Sequence, residues 1–459
     1  MLDLSRFLLR VGVAAAAGLV FAATGASYAH AADAPLKTNA TPALIERGKN
    51  LAVAGDCIAC HSTAGRPEYS GGLAIASPLG KIYSSNITPS VKAGIGSYTF
   101  EQFSRAVRAG VRADGSHLYP AMPYTAYARL TDDDTAALYA YFMHGVAASD
   151  TPAPPTKLPF PFNIRLSMAV WNALYLDSKP YVADKSKSVE WNRGAYLAQG
   201  LAHCATCHTP RNFLMAEDVS QSLRGGSLGT WYAPDITPGT LSRGGWDQAA
   251  LQAYLATGHA PNGATAGGPM LEAIDKSFSR MAPADIKAIS VYLTDSAGAS
   301  SAARPVAAVP ALASSDVAEM AGKIGAGERL YRNNCAACHQ VNGDGVRGLP
   351  ALRNHPSLRH PNADNVGMAV LQGVWPEHRQ GMPGFEDELT DREVADLTNY
   401  VMATFGQSKV TIDAQRVGAL RAGGETSSLL LLSRAGMALG VLVVLAALLW
   451  WRRRRRSGP

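Results

Sequence analysis

"CIACH" at 57–61, "CATCH" at 204–208 and "CAACH" at 335–339 are three copies of one pattern, and together they use all six cysteines of the chain. In each, two thiols stand three residues apart and a histidine follows the second. On a helical turn, positions i, i+3 and i+4 share one face, so both sulfurs and the imidazole point the same way. A disulfide framework, a zinc site or a thioredoxin-like pair has no need of that histidine three times over.

C-x-x-C-H is the attachment site for a c-type haem. The motif predicts three covalently bound haem c groups, on Cys57 and Cys60, Cys204 and Cys207, and Cys335 and Cys338. His61, His208 and His339 are then the proximal iron ligands.

The repeat extends on both sides. Upstream stand "RGKNLAVAGD" (47–56), "RGAYLAQGLAH" (193–203) and "GERLYRNN" (327–334), each read as a glycine opening an amphipathic helix with Leu51, Leu197 or Leu330 before the cysteines. Downstream, "SSNITPS" (84–90) matches "APDITPG" (233–239), and the shorter third unit lacks this loop. Each unit closes with a helix, "LTDDDTAALYAYF", "MAPADIKAISVYL" or "LTDREVADLTNYV", with Tyr141, Tyr292 or Tyr400 near its last turn. The threonine and acidic starts cap a helix and complement its dipole. The fold class expected is therefore all-α: three tandem class I-like cytochrome c domains at 41–149, 190–297 and 322–408. Proline- and alanine-rich linkers at 150–189 and 298–321 read as extended or flexible chain. Within the first, "FPFNIRLSMAVWNALY" (160–175) is unusually apolar, and reads as a docking helix or as a segment packed on its own domain.

A haem iron with histidine on one side takes a second ligand or stays open to small molecules. Met122 in "HLYPAMPYTAY" and Met382 in "QGMPGF" each precede a proline between helices, where a stiff backbone can aim a thioether; Met270 follows one in "AGGPM". Histidine and methionine are 61 and 62 residues apart in the first two units and 43 in the third. Met143, Met281 and Met368 read as core filler, and His117 and His259 are rival ligands for the first and second irons.

The ends describe a route out of the cytoplasm. Arg6 and Arg10, a short apolar run and Ala29-His30-Ala31 form a secretory signal peptide over 1–31. An apolar stretch at 429–451, ending in Trp450 and Trp451, is long enough to span a bilayer, and the basic tail at 452–459 keeps its end cytoplasmic. Taking the two leader arginines, five tail arginines and Asp3 from 42 basic and 36 acidic residues leaves 35 of each. A nearly neutral exported body implies no polyanion, so no nucleic-acid partner is expected.

With these residues in hand, the chain resembles the triple-haem cytochrome c subunits of bacterial membrane-bound dehydrogenases that oxidise alcohols, gluconate, sorbitol or aldehydes. The three C-x-x-C-H runs, "SSNITP" with "APDITP", "HLYPAMPYTAY", "AGGPM", "GMPGF" and the "PFPFN…W" segment carry the likeness, from about Thr41 to Gly406. The resemblance implies Met122, Met270 and Met382 as distal ligands. It also implies a separate catalytic subunit, flavoprotein or quinoprotein, a small third subunit, and ubiquinone as acceptor at the inner membrane, with haem domains in the periplasm. The chain itself then carries no catalytic residue. Delivery to a terminal oxidase and a self-contained haem peroxidase are the alternatives; the peroxidase needs an open iron and acid–base residues beside it.

Overall fold

Each haem motif hangs from the end of one helix that is crossed by another, and a glycine marks each crossing. The computed structural model describes residues 40–295, 325–346, 349–424 and 428–456. The leader and the second linker lie outside them. Helix α1 (Pro42–Ala54) runs into the one-turn helix α2 (Cys57–His61), followed by the hairpin β1 (Ala74–Ser77) and β2 (Gly80–Tyr83). After α3 (Phe100–Ala109) and α4 (Tyr124–Tyr127), α5 (Asp132–His144) packs back on α1. Thr131 caps α5 through the Asp134 amide.

The same order recurs after α6 (Ser167–Tyr175): α7 (Val189–Gln199), α8 (Cys204–His208), β3 (Arg224–Ser227), β4 (Tyr232–Asp235), α9 (Pro238–Arg243), α10 (Gln248–Thr257), α11 (Gly268–Lys276) and α12 (Pro283–Thr294). A third helix pair follows, α13 (325–334) with its haem turn α14 (Ala336–His339), then α15 (Asp364–Gln372) and α16 (Asp391–Gly406). The chain is mainly helical, as the fold class expected, and two short antiparallel hairpins accompany the helices. Their strands are only four residues long and lead into the matched "NITP" and "DITP" loops, too short for an alternating pattern to stand out.

The recurrent glycines do not open their helices. Gly48 and Gly194 sit inside α1 and α7, where a Cβ would fall 1.9 Å from the carbonyl oxygens of Ala137 and Ala288. Gly327 meets the Asp396 carbonyl in the same way, at 2.3 Å. The tyrosines close each crossing: a Cβ on these glycines would also stand 2.7, 2.9 and 2.7 Å from the Cβ atoms of Tyr141, Tyr292 and Tyr400.

One continuous apolar core joins the first two haem regions, running from Leu51 and Leu130 through Leu197 and Leu201 to Ile274 and Ile289. Buried polar groups reinforce it: Asp134, on α5, accepts from Arg47 at 2.6 Å and from the Tyr196 hydroxyl at 2.6 Å. A second core holds Tyr331, Met368, Leu397, Val401 and Met402. It continues past the expected boundary at 408 to Ile412, Val417 and Leu420, the last two on α17 (Ala414–Arg421). A two-pronged Arg416–Asp364 ion pair, at 2.7 and 3.1 Å, ties α17 to α15.

The first linker is a bound strap. Asn86 donates to the carbonyls of Ser149 and Thr151, Arg66 to that of Pro152, and the Tyr83 amide to Thr156 Oγ1. At the other end of the chain, α18 (Leu429–Arg456) is the one helix among the described residues long and apolar enough to cross a membrane, and nearly all its length is exposed.

Candidate haem-attachment sites

The three pentapeptides each fold as a single helical turn ending at the histidine. Asp56 and His203, just before the first cysteine, hold positive φ angles of 51° and 35°, which turn the chain sharply from the preceding helix into the haem turn. All six cysteines are unpaired. Burial pushes the Cys57, Cys60 and Cys204 thiols up to about 12 and Cys335 to about 11. Such thiols are protonated at neutral pH, which is unsuited to thiolate exchange.

The histidines carry the most informative geometry. Nδ1 of His61 lies 2.7 Å from the Ser85 carbonyl oxygen, Nδ1 of His208 lies 2.7 Å from that of Pro234, and Nδ1 of His339 lies 2.9 Å from that of Pro350. A carbonyl only accepts, so each Nδ1 is the donor and the Nε2 lone pair is left for a metal. A ring fixed in this way is how proteins orient a metal-ligating histidine. Burial also lowers the pKa of His61 and His208, which keeps those lone pairs free of protons. Two thiols and one such imidazole on a single turn fit the donor set of a c-type haem.

The "SSNITP" and "APDITP" loops thereby acquire a task. In one, Asn86 Oδ1 accepts from the Thr88 amide and hydroxyl at 2.8 and 2.7 Å; in the other, Asp235 Oδ1 does so with Thr237 at 2.8 and 2.6 Å. These side-chain turns stiffen the backbone next to the carbonyl that holds the histidine. The third unit has no such loop and uses Pro350 in "GLPAL" instead. Ser85, Pro234 and Pro350 were not among the expected site residues because they act through backbone oxygen; the repeated "[ND]ITP" was the available signal for the first two.

Met122 is half-buried, and three tyrosines of its loop are tied down. Tyr119 donates to the Phe162 carbonyl, Tyr124 to Asn172 Oδ1 and Tyr127 to the Gly55 carbonyl, at 2.8, 2.8 and 2.7 Å. Cys57, Ile58, Met122, Cys204 and Met270 all pack on the shared core. Met270 follows Pro269 as expected and lies in the first turn of α11, and α11 packs beside α2. Met382 is held by its backbone, which exchanges two hydrogen bonds with Val374 at 2.8 and 2.9 Å. Among the rival ligands, Met281 and Met368 are buried in the cores and Met143 packs against the first one. His259 is exposed, and His117 keeps a buried Nδ1 without a hydrogen-bond partner.

The three regions touch in chain order. The Tyr127 and His203 rings are 5.9 Å apart across the first junction. At the second, the Thr265 hydroxyl meets His355 Nε2 at 2.9 Å, and Asn365 exchanges two hydrogen bonds with the Tyr232 backbone.

A cytochrome c family model matches residues 45–145 and 324–405. The chain is 42% identical over 429 residues to the fructose dehydrogenase cytochrome subunit of Gluconobacter japonicus, covering 88% of each. It is 35% identical to the cytochrome c subunit of the quinone alcohol dehydrogenase of Gluconobacter oxydans, over 90% of this chain and 87% of that one. Likeness to the gluconate 2-dehydrogenase cytochrome c subunit of Pantoea cypripedii is 36%, over 83% and 90%. The chain belongs to the cytochrome c subunits of dehydrogenases, electron-transfer proteins that bind haem c covalently.

Proposed function

We propose that this chain is a three-haem relay in a membrane-bound dehydrogenase. It takes electrons from a flavin- or quinone-bearing catalytic subunit and gives them to ubiquinone. The reading assigns one haem to each of the regions 41–149, 190–297 and 322–408. Cys57/Cys60, Cys204/Cys207 and Cys335/Cys338 hold them covalently. His61, His208 and His339 are the proximal ligands, and Met122, Met270 and Met382 the distal ones. Bound there, haem c supplies an iron that takes up and releases single electrons.

The observation that carries this is the threefold Nδ1-to-carbonyl bond, at Ser85, Pro234 and Pro350. It fixes the donor atom of all three histidines, including the one outside the two regions that the family model matches. Helix α18 serves as a single-pass anchor of the inner membrane. Arginines 452–456 stay on the cytoplasmic side, which leaves the haem regions in the periplasm.

Affinity purification of the full chain from detergent-solubilised membranes tests the placement. A copurifying flavoprotein or quinoprotein dehydrogenase, with haem reduction on adding its substrate, is the expected result. An attached copper–haem oxidase core contradicts it, and so does peroxide turnover by the isolated chain.

A further inference from the structure

The outer face of α6 is a surface that the haem sites do not use. The inner face of α6 is consumed by the first two haem regions: Asn172 Nδ2 donates to the Ala109 carbonyl at 3.1 Å, Tyr124 donates to Asn172, and Trp171 Nε1 donates to the Leu214 carbonyl at 2.9 Å. Trp171 is 9% exposed, whereas Leu166, Val170 and Leu174, spaced one turn apart on the other face, are 73%, 64% and 63% exposed. Phe160 and Ile164 are also exposed, and so is Leu214, next to the bond from Trp171.

No charge interrupts this face. The segment's one charged side chain, Arg165, points back into the protein, donating to the His117 carbonyl at 2.9 Å and stacking on the Tyr119 ring at 4.6 Å. A cluster of exposed apolar side chains with no charge among them marks an interaction surface.

Its place in the fold selects the occupant. Arg434 Nε, in α18, lies 3.4 Å from the Phe160 carbonyl oxygen, and Leu429 in the first turn of α18 is buried. Arg434 is the last charged residue before the uninterrupted apolar run 435–451. A charge at the end of a spanning segment sits at headgroup depth. Phe160 is therefore at the bilayer surface, and the apolar face continues from it. We propose that Phe160, Ile164, Leu166, Val170 and Leu174 form an apron inserted into the outer leaflet beside the anchor. It holds the first haem region, through the Met122 loop, against the lipid. The inference rests on α18 being a membrane span.

Photo-crosslinking of the full chain tests both separately. A benzophenone amino acid is placed at Val170, at Leu174, at Val443 within α18, or at exposed Lys92 as a control, with haem absorbance confirming the fold of each. Each variant is irradiated in its own membranes, within the assembled complex, and in vesicles of phosphatidylethanolamine and phosphatidylglycerol. Lipid adducts at Val170 and Leu174 at least about five times those at Lys92 support the apron. Adducts at Val443 with none at Val170 or Leu174 overturn the apron and leave the span. Absence at all three overturns both. Crosslinks from Val170 to a dehydrogenase subunit or to a second copy of this chain assign the face to protein and overturn the lipid assignment.

Discussion

The Tyr127 hydroxyl donates to the Gly55 carbonyl oxygen at 2.7 Å, so the loop that carries Met122 is bonded to the residue two positions before the first haem cysteine. The two halves of the proposed site, far apart in sequence, are thus joined by a buried hydrogen bond. Tyr127→Phe removes that bond between the Met122 loop and the end of α1, at a cost of about 0.5–1.5 kcal/mol. Thermal unfolding followed by circular dichroism should show the lower midpoint, with the haem content unchanged.

The helix crossings admit no side chain. Gly48→Ala and Gly194→Ala each drive a methyl into a carbonyl oxygen 1.9 Å away, so the helices must separate. Overpacking of this order costs about 3 kcal/mol or more. Denaturant titration is the check, and Gly325→Ala, where nothing lies within 4 Å and φ is ordinary, is the comparison for space alone.

Asp134 is a buried junction between the first two regions, accepting from both Arg47 and Tyr196. Asp134→Ala frees the half-exposed Arg47 to water and leaves the buried Tyr196 hydroxyl without its acceptor, which costs about 1–3 kcal/mol. Hydrogen exchange should rise in α1 and α7 together, since both helices lose a contact.

His355 makes the fold sensitive to acid. Burial, aided by the positive potential of His360, His339 and His259, lowers its pKa to about 4 from 6.5. Between those values the unfolded chain binds a proton that the folded chain does not, so stability falls as pH drops from 6.5 to 4 and levels off below. The loss from this group is up to about 3 kcal/mol. Urea midpoints measured across that range should fall less steeply for His355→Gln than for the parent.

The ligand assignment has a spectroscopic signature. Met122→Ala, Met270→Ala and Met382→Ala should each weaken the far-red charge-transfer band of methionine-bound ferric haem by roughly one third, because each iron contributes its own sulfur bond. An unchanged spectrum for any one of them removes that residue from the set.

Local chemistry made part of this protein legible in its sequence. The C-x-x-C-H turns, the threonine caps at Thr131 and Thr390 and the apolar run of α18 each need only neighbouring residues to be recognised. What depends on distant partners was not legible. Gly48 looks like a helix start until Ala137 is seen against it. Ser85, Pro234 and Pro350 act through an oxygen that every residue possesses. The proline-rich linker reads as loose chain, yet buried Asn86 pins it at Ser149 and Thr151. Met270 keeps the expected spacing and lies in a helical first turn, because Pro269 starts α11 there.

Haem stoichiometry tests the central claim most directly. The intact mass of the mature, exported chain, read with its pyridine haemochrome absorbance, should give three covalently bound haem c groups, falling to two when both Cys204 and Cys207 are replaced by serine. Two haems in the parent chain, with Cys204 and Cys207 recovered as free thiols, would contradict the account.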